Sequence, residues 1–455
     1  MRHLTLMRHA KAKQPHGDMT DHQRPLRKRG ERQAAAMAHV LQRWQALDGE
    51  IFVSTAKRTR ETFDGISSQL LTHHLASHVL FDDALYTFDS EALLTWLKAL
   101  PDKAERVLVI GHNPALIELA RWLNDEAPHS LPTGSALHFT LPDTPWKAVE
   151  KGCAVLAGGL IPETASYSLF QRLAPKPPDP QHDTVSRIRD LLEHQSRMIG
   201  ALKPGVMAGI DSEFLHQYRV NLRRSRAVGE SVLAITKVPG LKKRLKRLKQ
   251  RAQATSDLRD LDVFLEDLGK TQPPLSASTR EGLRQWLQCC QRVQHYTLCQ
   301  QLSTPEYAEE LQGWQSFIAS DGVEKALSKL SPKRIQAVLD ERIARHNEDL
   351  AALSVDSPDA DLHEFRKGVK RIRYLADLHP EPLEPFLSEL KRRQSLLGDY
   401  QDLCARQAWL DAFSSGADST PEQRKDCSQW HAALETQKQK LRKKVLALGP
   451  LVSHR

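Results

Sequence analysis

Aromatic residues make up only 6% of this 455-residue chain, and there are six cysteines. Cys153, Cys289, Cys290, Cys299, Cys404 and Cys427 form no CxxC pair and no regular framework. This excludes a disulfide scaffold and a cysteine-ligated zinc module, and reads as reduced thiols in a cytoplasmic protein. No apolar run approaches the ~18 residues that span a membrane. The opening MRHLTLMRHA has Arg and His where a secretory signal needs an apolar core. No aromatics interleave with the basic segments to stack bases, which argues against nucleic acid as a partner. With 40% hydrophobic and 27% charged residues, the chain is neither disordered nor fibrous, and its length suggests two to four domains.

The net charge is +9, and it is unevenly spread. Residues 1–173 carry 20 basic and 19 acidic side chains; the rest carry 45 and 37. A basic excess of this kind favours a polyanion. The change falls at APKPPDPQHDTVS (Ala174–Ser186), whose four prolines predict a stiff linker. Before it, apolar runs at Leu4–Met7, Ile51–Ser54, Val79–Phe81, Arg106–Gly111 and Ala136–Leu141 alternate with helical patterns near Glu31–Gln45, Arg58–Leu71, Ser90–Ala99 and Pro114–Leu123. This predicts an α/β sandwich over 1–173 with a largely parallel sheet. From 187 to 450 the strand signals vanish and helical spacing dominates, predicting an all-α domain.

Three short motifs of the first part fall at the carboxyl ends of predicted strands, where open α/β sheets bind ligands. They are LMRHA with Arg8 and His9, STAKRTRET with Arg58, and VIGHNP with His112. Guanidinium groups bind phosphate oxygens bidentately, and a neutral imidazole is a competent nucleophile. His73, His74 and His78 have metal-like spacing but no carboxylate or cysteine at close range, so no metal or other cofactor is expected.

These motifs, with the RPL segment (Arg24–Leu26), resemble the SixA-type phosphohistidine phosphatases of the histidine phosphatase superfamily. The resemblance covers about residues 1–173 and implies a phosphoglycerate-mutase-like fold. It implies that His9 attacks phosphorus while Arg8, Arg58 and His112 hold the phosphate. The substrate would be a phosphorylated protein or small phosphorylated molecule. Asp82 and Asp83 lie where many members keep a general acid, and neither matches firmly. A phosphohistidine P–N bond, whose leaving imidazole accepts a proton readily, does not require one.

The second part repeats itself. HQYRVNLRRSR (216–226) matches HEFRKGVKRIR (363–373), and Arg244–Leu261 matches Phe386–Leu403. The fold predicted is a duplicated helical bundle. At about 100° per residue, His216, Arg219, Arg223 and Arg226 share one helix face, as do His363, Arg366, Lys370 and Arg373. The opposite faces carry Phe214, Tyr218 and Leu222, and Phe365, Val369 and Ile372. Asp257, Asp260, Asp399 and Asp402 are the acidic neighbours that would balance a merely solvated basic face.

The two H-x-x-R-x-x-x-[RK]-R-x-R copies and the paired D-x-x-D segments resemble the CHAD domain, over roughly residues 187–450. That family implies binding of inorganic polyphosphate by the eight row residues, with Lys249, Arg251, Lys391 and Arg393 in addition. The expectation is a cytoplasmic phosphatase tethered to a polyphosphate-binding domain, associated with polyphosphate granules. The alternative is a polyphosphate-binding protein whose phosphatase pocket is inactive.

Overall fold

The computed structural model describes residues 1–70, 79–178, 184–378 and 384–452. It divides into two units, Met1–Ala174 with Pro204–Asp211, and Pro175–Lys203 with Ser212–Arg455.

In the first unit, β1 (Arg2–Arg8), β2 (Glu50–Ser54), β3 (Val79–Asp82), β4 (Arg106–Gly111), β5 (Ala136–Leu141) and β6 (Val155–Leu160) form one sheet, in the order β3-β2-β4-β1-β5-β6. The first four positions are parallel; β5 and β6 add on antiparallel. Strand β6 lacked a sequence signal. Gly158 and Gly159 interrupt it, and as an edge strand it buries no continuous apolar face.

The helices of this unit are α1 (Lys28–Arg43), α2 (Lys57–Ser67), α3 (Ser90–Lys98), α4 (Ala115–Leu123), α5 (Pro162–Ala165) and α6 (Tyr167–Phe170). Each sheet face has its own core. Val107 and Val109 pack with Leu116, Leu119 and Leu97 on one side. Leu108 and Ile110 pack with Met37, Leu41 and Phe63 on the other. Burial on both faces is why β4 reads as a continuous apolar run. The carboxyl ends of β2, β4 and β1, neighbours in the sheet, therefore emerge side by side.

The helix α7 (Thr184–Ala208) begins before the expected linker ends, so Thr184–Ser186 are helical; residues 175–178 form neither helix nor strand. The second unit continues with α8 (Ser212–Ile235), α9 (Leu241–Gln253), α10 (Ser256–Lys270), α11 (Ala277–Leu302), α12 (Pro305–Ile318), α13 (Asp321–Leu327), α14 (Pro332–Ala352), α15 (Asp359–Ala376), α16 (Glu384–Ser414) and α17 (Pro421–Leu446). The first repeat motif lies in α8 and α15, which pack on one another. Phe214, Tyr218, Leu222, Phe365, Val369 and Ile372 are all buried.

The second matched segment differs between copies. It lies within continuous α16 in one, and is broken between α9 and α10 at Ala254–Thr255 in the other. Thr255 turns its hydroxyl back onto the Ala252 carbonyl (2.7 Å). Its counterpart, Leu397, is an apolar core residue that continues the helix. Among the described residues, no helix is long and apolar enough to cross a membrane.

Candidate functional site

His9 follows β1 directly, with its backbone N–H on the Gly111 carbonyl of the neighbouring β4 (3.1 Å). Its Nδ1 donates to the Ala10 carbonyl (2.8 Å), so Nε2 carries the lone pair. Arg58, at the start of α2 and only 1% exposed, donates its Nε–H to that Nε2 (3.3 Å). It also donates to His112 Nδ1 (3.2 Å). Arginine has no acceptor, so His112 must carry its proton on Nε2, which donates to Ser54 Oγ (2.8 Å). The two imidazole rings stand 5.2 Å apart. Arg8 Nη1 and Asn113 Nδ2 both donate to the Leu131 carbonyl (2.9 and 3.0 Å).

Both histidines are held neutral. Burial, and then the Arg58 and Arg8 charges, lower His9 to about 3 despite the opposing Ala10 carbonyl. Burial and Arg58 lower His112 to about 2. The pocket thus combines an unprotonated nitrogen with fixed positive charge, which is the equipment for attack on phosphorus.

The structure brings Arg8, His9, Arg58 and His112 together and adds Asp21, which motif reading missed. Its carboxylate accepts from Arg58 Nη2 (2.9 Å), Arg24 Nη1 (2.7 Å) and the Tyr86 hydroxyl (2.8 Å). Burial would raise its pKa, but these donors win and hold it well below the carboxylate range. Asp21 is a clamp on Arg58 and a poor proton donor. The sequence gave no signal for it, because it sits in an irregular loop eight residues beyond Lys13. The other acids are engaged elsewhere. Asp82 accepts from Trp96 Nε1 and the Ala84 N–H (both 2.8 Å), and Asp83 accepts from the Thr55 hydroxyl. His73, His74 and His78 lie outside the described residues; among those described, no group of three or more His, Cys, Asp or Glu side chains is placed to hold a metal.

In the second unit the eight row residues are all half-buried. The rows face each other: Lys370 feels Arg219, Arg223 and Arg226 of α8 as well as Arg366 of its own helix. Burial, then these charges, lower Lys370 to about 7. Among the described residues, no hydrogen bond or ion pair joins Arg223, Arg366 or Lys370 to another side chain, and the Nε of Arg223, Arg366 and Arg373 is buried without a partner.

Asp260 and Asp402 lie near Arg219 and Arg366, but make no ion pair with them at contact distance. Burial raises both carboxyls. These carboxylates act on Arg219 and Arg366 through space, without contact ion pairs.

The copies differ in detail. Arg219 Nη1 plugs the α9–α10 break, donating to Thr255 Oγ1 (2.7 Å) and the Ala252 carbonyl (3.2 Å). Arg366 has no such break to fill. His363 Nδ1 meets Gln401 (2.6 Å), whereas His216 faces the charge of Arg259, the residue matching Gln401. Arg226 pairs with Glu230 (3.2 Å), and Arg373 donates to Gln394 (2.6 Å).

Two of the four expected additional ligands are placed elsewhere. Arg393 is 2% exposed, with its guanidinium taken up by Glu389 (2.7 Å), His346 (3.4 Å) and the Gly449 carbonyl. Arg251 pairs with Glu310 (2.8 Å) over the Tyr307 ring. Helical spacing alone could not distinguish these structural arginines from row members. Lys249 and Lys391 are exposed; Lys391 acts on Asp377 together with Arg373.

The chain thus combines an α/β unit whose pocket pairs two neutral histidines with buried arginine, and a helical bundle with opposed basic rows. The model described as the histidine phosphatase superfamily (branch 1) matches residues 4–80, and that of the CHAD domain matches residues 189–411. The first unit thus carries the match to the histidine phosphatase superfamily (branch 1), and the second the match to the CHAD domain.

An uncharacterized protein of Mycobacterium leprae (strain TN) is 31% identical over 118 residues, covering 25% of this chain and 68% of that protein. One of Mycobacterium tuberculosis (strain H37Rv) is 28% identical over 166 residues, covering 34% and 99%. Among solved structures, one from Nakamurella multipartitia assigned as phosphohistidine phosphatase SixA is 26% identical, covers 35% of this chain and 95% of its own, and has a TM-score of 0.30. The CHAD domain from the plant Ricinus communis is 18% identical, covers 62% and 98%, and has a TM-score of 0.49.

Proposed function

We propose that the first unit is a phosphohistidine-type phosphatase and that the second binds inorganic polyphosphate. The observation carrying the first half is the lone pair on His9 Nε2, held beside Arg58 with His112 across the pocket. His9 Nε2 attacks phosphorus as the P–N bond of the substrate breaks. The electron pair of that bond passes to the leaving imidazole, which takes a proton from water. Arg8, Arg58 and the His112 side chain stabilise charge on the equatorial oxygens. A water molecule then attacks the phosphorylated His9, releasing phosphate and restoring the imidazole. Among the described residues, Asp21, Asp82 and Asp83 are engaged in other contacts, which favours such a labile donor over an alkyl ester.

For the second half, opposed half-buried cations, of which Arg223, Arg366 and Lys370 make no contact ion pair among the described residues, support a linear polyanion laid between α8 and α15. Polyphosphate then serves as anchor or regulator of the tethered enzyme in the cytoplasm, on polyphosphate granules.

The test is phosphate release from a phosphohistidine peptide, an aryl phosphate and long-chain polyphosphate, by wild type and His9→Ala. Turnover of the peptide that vanishes in the variant is the expected result. Release that does not depend on His9 overturns the enzymatic reading and leaves a polyphosphate-binding protein.

A further inference from the structure

The segment between the Asp83–Leu85 turn and α3 carries Tyr86 and Phe88 to the mouth of the phosphate pocket. Tyr86 meets the His112 ring edge-on, at 5.4 Å and 87°. Phe88 lies 5.4 Å from the same ring at 43°, and 5.7 Å from Tyr86. Tyr86 is fixed on its other side by the His22 ring (4.9 Å) and by its hydroxyl on Asp21. Phe88 remains 46% exposed while its ring lies against that of the buried His112. His9, His112 and Phe88 form a series of rings 5.2 and 5.4 Å apart, running from the nucleophile to the solvent. At attack the reacting atoms stand ~3–3.5 Å apart, so the departing atom is about 5 Å from His9 Nε2, on the outward side.

We propose that Tyr86 and Phe88 form an aromatic wall that selects a flat leaving group, the imidazole of an N-phosphorylated histidine, with Phe88 as the specificity-determining side chain. The proposal rests on the phosphatase reading above. Ring pairs at 4.5–7 Å gain from offset or edge contact beyond simple burial, and an aliphatic leaving group cannot make that contact. The gain corresponds to a preference of roughly three- to tenfold.

The experiment compares kcat/KM for a phosphohistidine peptide and for acetyl phosphate, a labile donor with no ring, in wild type, Phe88→Ala, Phe88→Leu and Phe88→Trp. The expected result is that the ratio of the two constants falls roughly three- to tenfold in Phe88→Ala and Phe88→Leu and is retained in Phe88→Trp. A ratio unchanged in Phe88→Ala, or retained by Phe88→Leu, overturns the wall, because the contact is then absent or merely apolar. Wild type inactive on both donors overturns the phosphatase reading itself, an outcome separable from the others by the wild-type lane alone.

Discussion

Lys370 is the row residue whose charge is most sensitive to its surroundings. Free of ligand it sits near neutrality, because burial and four arginines oppose its proton. A polyphosphate chain beside it reverses that balance. Below about pH 7 the amine is protonated with or without ligand. Above it, the free protein has lost a proton that the complex retains, so binding takes one up. Affinity for polyphosphate is expected to fall as pH rises from about 7, by up to about tenfold per unit. Lys370→Arg, whose charge is permanent, should flatten the profile. Titration with long-chain polyphosphate at fixed salt from pH 6 to 9 checks both. A wild-type profile as flat as that of the variant would show that Lys370 does not face the ligand.

Among the elements, helix α1 reaches the pocket through one glycine. A Cβ at Gly30 would lie 2.2 Å from the Lys11 carbonyl oxygen, so only glycine lets the helix start press on the segment after His9. The neighbouring Ala10 carbonyl is what fixes the His9 tautomer. Gly30→Ala is expected to cost roughly 1–3 kcal/mol of stability and to lower kcat by at least about tenfold through a displaced Ala10. Thermal unfolding and kcat on a phosphohistidine peptide measure the two effects, and a variant with full stability and full kcat would refute the coupling.

Much of this level was legible beforehand. The apolar runs located β1 to β5; for β1, β2 and β4 this is because buried strands of a parallel sheet are continuous in sequence. The Arg/His spacing located α8 and α15, because their apolar faces are committed to the core. Strand β6, the α9–α10 break and Asp21 were not legible. Each depends on tertiary neighbours: the edge of a sheet, an arginine from another helix, or an arginine whose charge a loop carboxylate meets only after folding. The same limit explains Arg251 and Arg393, basic at helical spacing yet taken up by Glu310 in one case and by His346 and the Gly449 carbonyl in the other.

At the scale of the whole molecule, the chain divides into two units with separate cores. The second unit places eight row residues, five of them arginines, in half-buried positions where like charges oppose one another, and a bound anion would relieve that repulsion. Polyphosphate at 100 times its Kd should stabilise the unit that binds it by about 2.7 kcal/mol. Calorimetry with and without long-chain polyphosphate should therefore move one thermal transition upward and leave the other in place. Reversing two charges, in Arg223→Glu with Arg366→Glu, should abolish the shift. A shift that survives the double variant would assign the binding to other surface cations.

The Asp21–Arg58 clamp bears on turnover as well as on assembly. Arg58 points its Nε at His9, its Nη1 at the Asp21 carbonyl (2.6 Å) and its Nη2 at both the Asp21 carboxylate and His112. The guanidinium is thus satisfied from within the chain. On the phosphatase reading proposed above, inorganic phosphate competes for that guanidinium with a carboxylate that is covalently part of the chain. Free phosphate is therefore expected to be a weak inhibitor, and product-inhibition kinetics on a phosphohistidine peptide measure it.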